Sequence, residues 1–146
     1  MRKISSSSGA GPKAARQTKE AQWPTISRVL FQNGYTVVRL HSPEAGADFE
    51  AQSGHDHPRI LVRIQTRLYF AKQFQRQGLW LCFVGDGEVY LYPHDQVLEF
   101  IQKDGRILVG TRSWEDQGIY HFPRIPQWLR PALSPYRISP KSQSNV

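Results

Sequence analysis

Residues 60–67 have the sequence Ile-Leu-Val-Arg-Ile-Gln-Thr-Arg, in which apolar and polar side chains alternate from position 62 onward. Because successive side chains of a β-strand point to opposite faces, this pattern predicts a strand over residues 60–67 with Ile60, Val62 and Ile64 on its apolar face. The polar residues on its other face are Arg63, Gln65 and Arg67. Residues 79–84, Leu-Trp-Leu-Cys-Phe-Val, are apolar throughout and predict a central strand that is covered on both faces.

The flanking segments predict the rest of an α/β fold. Residues 26–30 have the apolar spacing of a helix that ends at Gly34. Because Pro24 interrupts this run, the helix starts either at Pro24 or near Arg16 with a kink. Further strands are predicted at 35–40, 47–52 and 88–92. We therefore predict a central mixed β-sheet flanked by helices.

A second helix is predicted at residues 96–103, with Asp95 as its N-cap and Gly105 at its end. Its predicted buried residues are Val97, Phe100 and Ile101. The proline-rich remainder predicts short elements around the core, including a short helix near 127–133. Its aromatic residues, Trp114, Trp128 and Tyr136 among them, are an alternative protein-interaction surface.

The length of 146 residues fits one domain, which we place at residues 16–139. Residues 1–15, rich in serine, and residues 140–146 lack apolar periodicity and are predicted to be flexible tails. The single cysteine, Cys82, lies in an apolar run and is predicted to be buried. The N-terminus lacks the apolar stretch of a secretory signal, so we expect a cytoplasmic protein.

The formal net charge is +7 and the sequence pI is about 9.9. A basic protein favours polyanions, and nucleic acid is the most abundant of these in a cell. From Ile119 onward there is no Asp or Glu, whereas four cations are present. They are Arg124, Arg130, Arg137 and Lys141. This asymmetry predicts a positively charged end of the molecule that contacts nucleic acid.

Asp48 and the strand ending in Gln65-Thr66-Arg67 resemble the motif of the PD-(D/E)XK nuclease-like superfamily. In that motif an acidic residue is followed by an apolar strand that ends in Asp, Glu or Gln, then any residue, then Lys. The similarity extends over residues 20–138. It includes the stretches Gly34-Tyr35, Gly46-Ala47, Tyr92-Pro93-His94-Asp95, Ser113-Trp114 and Gly118-Ile119-Tyr120. The resemblance implies a restriction-endonuclease-like core.

The resemblance also implies a divalent cation, Mg²⁺ or Mn²⁺, held by oxygen ligands for phosphodiester hydrolysis. It assigns Asp48 as the first ligand, Gln65 as the second and the Thr66 carbonyl as a third. It places Arg67 where the superfamily has a lysine. A guanidinium keeps the charge and can bind a phosphate, but it does not act as a base. Relatives of this fold often dimerise, so a homodimer is an open alternative.

Two more carboxylates are candidates for the same site. Glu50 follows Asp48 by two residues and is predicted on the same strand face. Glu20 corresponds to an additional helical Glu in relatives. Five cations near Gln65 are predicted to bind nucleic acid, with aromatic residues among them. These cations are Arg59, Arg63, Arg67, Lys72 and Arg76.

The histidine-rich turn His55-Asp56-His57 has no cysteine pair nearby and is interpreted as solvated and not as a zinc site. The main hypothesis is a nucleic-acid-binding protein, with DNA as the expected partner, that acts as a Mg²⁺-dependent endonuclease. The alternative is a catalytically inactive binding or protein-interaction module with the same fold.

Overall fold

The computed structural model describes residues 18–41, 46–104 and 111–141. The helices are α1 (Lys19–Gln32), α2 (His94–Asp104) and α3 (Arg130–Leu133). The strands are β1 (Tyr35–Arg39), β2 (Phe49–Ser53), β3 (Ile60–Ile64), β4 (Leu68–Ala71), β5 (Leu79–Gly85), β6 (Glu88–Pro93), β7 (Ile119–Phe122) and β8 (Arg137–Ile138). The tail predicted at 1–15, the end of the tail predicted at 140–146, and Gly105 lie outside the described residues.

The central sheet has six strands in the order β1-β2-β3-β5-β6-β8. β3 and β5 run parallel, and the other neighbouring pairs are antiparallel. The predicted α/β fold, a mixed central sheet flanked by helices, is therefore confirmed. A second sheet consists of β4 and β7 alone. Because β3 and β5 are parallel, their carboxyl ends, at Ile64 and Gly85, lie at one edge of the sheet, here named the carboxyl edge.

The sheet separates two hydrophobic cores. On one face, Val29 and Leu30 of α1 pack with Phe49 and Ile64. On the other face, α2, α3 and the β4–β7 sheet cover a core that includes Phe83. The alternation of β3 explains the division, because every second residue of the strand points toward α1. Cys82 is fully buried, as predicted, and burial raises the pKa of its thiol.

Helix α1 begins before Pro24, so the longer of the two alternatives is correct. The Thr18 side chain caps it by accepting a hydrogen bond from the Ala21 N–H at 3.0 Å. Beyond its end, Gly34 has a φ of 89°, the left-handed conformation that glycine adopts without strain. The short helix predicted near 127–133 is confirmed, as a 3₁₀ turn followed by α3. Across the described stretches, no helix combines the length and apolar character that crossing a bilayer requires.

Strand β3 ends at Ile64, three residues earlier than predicted, and the chain turns there into β4. The short strands β4 and β7 were not predicted. β4 has β7 on one side, and its other edge is closed by core side chains. The Tyr92 hydroxyl accepts from the Tyr69 N–H at 3.0 Å and donates to the Tyr69 carbonyl at 2.9 Å. The Ala71 N–H donates to His94 Nε2 at 3.1 Å.

Three predictions about side-chain positions were wrong. Helix α2 starts at His94, and the Asp95 carboxylate accepts from the Arg76 N–H at 2.8 Å instead of capping the helix. Phe100 is 40% exposed, and Leu98 is buried in its place. Trp114 is buried, not exposed, because it is part of the core beneath α2.

Candidate functional site

The start of β2 has an irregularity at Asp48. Phe49 pairs with Val62, and the Asp48 N–H also donates to the Val62 carbonyl at 2.7 Å. Two successive residues, Asp48 and Phe49, therefore lie opposite the single residue Val62 of β3. In a regular strand, residues two apart share a face, yet Ala47 and Phe49 belong to opposite cores. This is the geometry of a β-bulge, which redirects a side chain. The bulge turns the Asp48 carboxylate toward α1.

The Asp48 carboxylate has two partners. Its Oδ2 accepts a hydrogen bond from the Ile64 N–H at 2.7 Å, at the end of β3. The same oxygen lies 3.2 Å from Lys19 Nζ in the first turn of α1. The Asp48 side chain is 22% exposed. One carboxylate oxygen therefore completes the β3 backbone and pairs with a cation.

Gln65 is connected to α1 through its backbone. Its N–H donates to the Cys82 carbonyl at 2.8 Å, which continues the β3–β5 pairing by one residue. Its carbonyl accepts from the Gln22 Nε2 at 2.9 Å, and the Gln22 Oε1 accepts from the Val84 N–H at 2.7 Å. Gln22 is only 1% exposed. A buried amide of α1 thus joins the ends of β3 and β5.

Asp48 and Gln65 are held by different partners. Val62 and Ile64 point toward α1, so alternation directs Arg63 to the opposite face of β3, and Gln65 lies just beyond the last residue of the strand. Asp48 instead meets Lys19 on the α1 side. No hydrogen bond joins Asp48 to Gln65 or to Thr66.

The other two predicted carboxylates are paired with arginines. Glu50 Oε1 lies 3.4 Å from Arg59 Nη1 on the exposed part of the β2–β3 pair. Glu20 Oε2 lies 2.6 Å from Arg39 Nη2, and the Arg39 guanidinium lies over the Trp23 ring at 4.7 Å from its centroid. Glu20 is thereby directed toward β1. The residue of this helical turn that reaches Asp48 is Lys19.

These residues do not fit a resident Mg²⁺. The cation requires several oxygen ligands that are close together, usually including carboxylates. Asp48 already binds an ammonium group, and Glu50 and Glu20 bind guanidinium groups. Within 18–41, 46–104 and 111–141, no group of three or more His, Cys, Asp or Glu side chains is arranged to hold a metal. His55-Asp56-His57 forms an exposed turn.

The five predicted nucleic-acid-binding cations do not form one surface. The Arg63 guanidinium is half-buried, donates to the Gly46 carbonyl at 2.6 Å and lies 5.4 Å from the Phe74 ring centroid. Lys72 Nζ lies 5.4 Å from the Trp114 ring centroid. Arg59 pairs with Glu50, and Arg76 is exposed with a φ of 63°. The structure therefore gives Arg63 a role in packing.

Arg67 lies beside two aromatic rings. Its Nη1 is 3.4 Å from His121 Nδ1. The His121 and Tyr69 rings are parallel within 6°, with centroids 6.5 Å apart. Leu68 before Tyr69 and Phe122 after His121 are buried in the core, whereas His121 is exposed and Tyr69 is partly buried and packs against the same core.

A cleft of about 550 Å³ opens at the carboxyl edge, next to Arg67. Its lining includes Phe83, Asp86, Pro123, Arg124, Gln127 and Arg130. Because Leu68 pairs with Phe122 in an antiparallel ladder, the residues before and after them, Arg67 and Pro123, are neighbours. The cleft therefore adjoins Arg67.

Both cleft arginines, Arg124 and Arg130, are exposed and have no ion-pair partner in the described part of the chain. Four of the eight other arginines in the described ranges are paired with carboxylates. These pairs are Arg39–Glu20, Arg59–Glu50, Arg112–Asp116 and Arg137–Glu88. Of the cations predicted to form a positive end of the molecule, Arg124 and Arg130 line the cleft, whereas Arg137 is paired with Glu88.

Sequence reasoning missed Lys19 and Gln22. Both lie on α1, and both contact residues that are far away in the chain. Lys19 contacts Asp48, 29 positions later, and Gln22 contacts Gln65, 43 positions later. One signal was present for Gln22: it lies four residues before Ile26, and hence on the buried face of the helix. A polar residue at such a position requires buried hydrogen-bond partners.

A comparison with solved structures finds Hjc, a Holliday junction resolvase from Archaeoglobus fulgidus. The TM-score is 0.39 and the sequence identity is 15%, over 51% of this chain and 76% of that chain. No protein-family model matches the chain, and no curated protein matches it. The similarity to Hjc assigns neither a family nor an activity.

Proposed function

We propose that this protein is a nucleic-acid-binding module that contacts backbone phosphates through the cleft at the carboxyl edge, without a resident metal ion. The observation that carries the proposal is that one cleft holds two arginines, Arg124 and Arg130, with no carboxylate partner among the residues that the structure describes. Guanidinium groups bind phosphate oxygens through two parallel hydrogen bonds. An anionic ligand would supply the partners that the described part of the chain does not.

The position of the cleft supports the same function. In α/β sheets, ligands bind beyond the carboxyl ends of parallel strands, which is where β3 and β5 end. Arg67 adjoins the cleft and adds a third cation. The net charge of +7 favours the approach of a polyanion.

The proposal is tested by binding of labelled single-stranded and duplex DNA and RNA over a range of salt concentrations. For a phosphate-binding protein, log K falls linearly with log salt, and each lost phosphate contact reduces the slope by roughly one. We expect the double substitution Arg124→Gln and Arg130→Gln to weaken binding and to reduce this slope. The matched control is Arg28→Gln, because Arg28 is exposed on α1 across the sheet. The proposal would be contradicted if the protein did not bind at low salt. It would also be contradicted if the double variant and Arg28→Gln weakened binding equally.

The absence of a resident metal is tested separately. The same nucleic acids are incubated with the protein in EDTA, Mg²⁺ or Mn²⁺, beside Asp48→Ala. We expect no cleavage under any condition. Cleavage that requires both the metal and Asp48 would show that the protein is a metal-dependent nuclease. The Lys19–Asp48 ion pair would then have to separate when the metal binds.

A further inference from the structure

Tyr69 and His121 form a parallel aromatic pair on the β4–β7 sheet, with His121 exposed and Tyr69 partly exposed. Their rings are parallel within 6°, and the Arg67 guanidinium lies against His121 at 3.4 Å. A cation beside flat rings is a combination that can hold a phosphate and a base of the same nucleotide.

The backbone beneath the aromatic pair is held by buried groups. The fully buried Tyr92 hydroxyl binds both the N–H and the carbonyl of Tyr69. Phe74, which is nearly buried, contacts the Tyr69 ring at a centroid distance of 6.0 Å. The protein therefore loses little conformational entropy when a ligand stacks on the rings, and a smaller entropy loss gives tighter binding.

The aromatic pair is close to the cleft. The pair Tyr69–His121 is adjacent in the ladder to Leu68–Phe122, and Phe122 is followed by Pro123 and Arg124 of the cleft. A strand of nucleic acid with its phosphates at Arg124 can therefore reach the two rings with its bases. In a duplex the bases are stacked on each other and paired, so their faces are not available to the rings.

We propose that the aromatic pair stacks on unpaired bases, and that the preferred ligand of the cleft is single-stranded nucleic acid or a single-stranded segment next to a duplex. This inference rests on the proposed function, since the phosphates are bound by the cleft arginines. Stacking on side chains depends on the flat face that every base has, so the preference is for unpaired structure and not for a particular sequence.

The experiment compares an ordinary single strand with an abasic strand of equal length, which keeps the phosphates and lacks the bases. The proteins are the unaltered chain, Tyr69→Leu combined with His121→Ala, and Tyr69→Phe as the control that keeps a ring. Leu retains apolar bulk, and the Tyr92 hydrogen bonds involve only the Tyr69 backbone. Thermal unfolding of each variant verifies that it is folded.

We expect the unaltered protein to bind the ordinary strand roughly ten-fold or more tightly than the abasic strand. In the double variant this ratio should approach one, with unchanged affinity for the abasic strand, and Tyr69→Phe should keep most of the ratio. A ratio that is near one in the unaltered protein, or that the double variant preserves, overturns the inference. If neither strand nor a duplex binds, the proposed function itself fails.

Discussion

Lys19 Nζ lies 3.2 Å from Asp48 Oδ2, and the same oxygen accepts the Ile64 N–H at 2.7 Å. The first turn of α1, the bulge of β2 and the end of β3 therefore meet at one carboxylate oxygen. A carboxylate used in this way holds three elements in register at the carboxyl edge. Its structural contribution can be measured independently of any ligand.

Substituting Asp48 tests this contribution. Asp48→Ala leaves the part-buried Ile64 N–H without its acceptor, and we expect a loss of about 1–3 kcal/mol in the free energy of unfolding. Asp48→Asn keeps an acceptor oxygen and should lose less. Lys19→Gln should change stability by no more than about 1 kcal/mol, because the ion pair is partly exposed. Urea unfolding measures all three, and equal losses for Asp48→Ala and Lys19→Gln would contradict this assignment.

Gln22 should be among the most sensitive polar residues of the chain. Gln22→Leu leaves the Gln65 carbonyl and the Val84 N–H without their side-chain partner, at a cost of about 2–4 kcal/mol for the two groups. Gln102→Leu is the matched control, since Gln102 is an exposed glutamine on α2. Chemical denaturation of the two variants is the measurement. Similar stabilities for both would show that the buried bridge contributes little.

Stability should decrease below neutral pH because of His94. Burial lowers the pKa of its fully buried imidazole from the usual 6.5, an effect that the Asp95 carboxylate partly opposes. Since Nε2 accepts the Ala71 N–H, the neutral ring carries its proton on Nδ1, which donates to Asp95 Oδ1 at 2.8 Å. A proton added in acid would have to displace the Ala71 hydrogen bond.

The sign follows from the lowered pKa. Below pH 6.5 the unfolded chain binds a proton at His94 that the folded chain does not bind, so the free energy of unfolding falls as the pH falls. The slope from this one group is at most about 1.4 kcal/mol per pH unit. Urea unfolding between about pH 8 and pH 5, compared with His94→Gln, isolates the effect. An identical pH dependence in His94→Gln would assign the slope to other groups.

Asp86 should weaken anion binding in the cleft. Among the described residues that line the cleft it is the one carboxylate, and it forms the β5–β6 turn with Gly87 at φ values of 54° and 79°. Asn tolerates this left-handed conformation, so Asp86→Asn removes the charge and keeps the turn. We expect about two- to five-fold tighter nucleic-acid binding, which corresponds to a surface charge interaction of about 1 kcal/mol or less.

The matched control for Asp86 is Asp56→Asn, which removes an equal charge from the exposed turn between β2 and β3. Fluorescence anisotropy at low salt is suitable for both, because the difference should disappear as salt screens the charges. Unchanged or weaker binding by Asp86→Asn would place the phosphates elsewhere on the surface.

The elements that the sequence predicted well have strong local signals. β1, β5 and β6 follow from continuous or alternating apolar runs, and the turn at Asp86-Gly87 follows from its residue types. β4 and β7 have four residues each and no clear alternation. The free edge of β4 is completed by Tyr92 and His94 of a distant strand and helix, which no local pattern indicates.

The candidate site was predictable only in part. The sequence identified Asp48, Gln65 and Arg67 as the residues around the end of β3, and the structure has all three there. It did not indicate the bulge at Asp48, which depends on a hydrogen bond to Val62 in another strand. The ion pairs of Glu20 and Glu50 likewise depend on partners in other strands or turns.

The sequence by itself determined the α/β class, the positive charge of the chain and the apolar strands, because these depend on composition and on periodicity within a few residues. Only the tertiary structure decided which cations remain without partners and which side chains share a face. Arg63 binds the Gly46 carbonyl, while Arg124 and Arg130 line a cleft beside Arg67. Such contacts join residues that are far apart in the chain, so they exist only once the sheet has assembled.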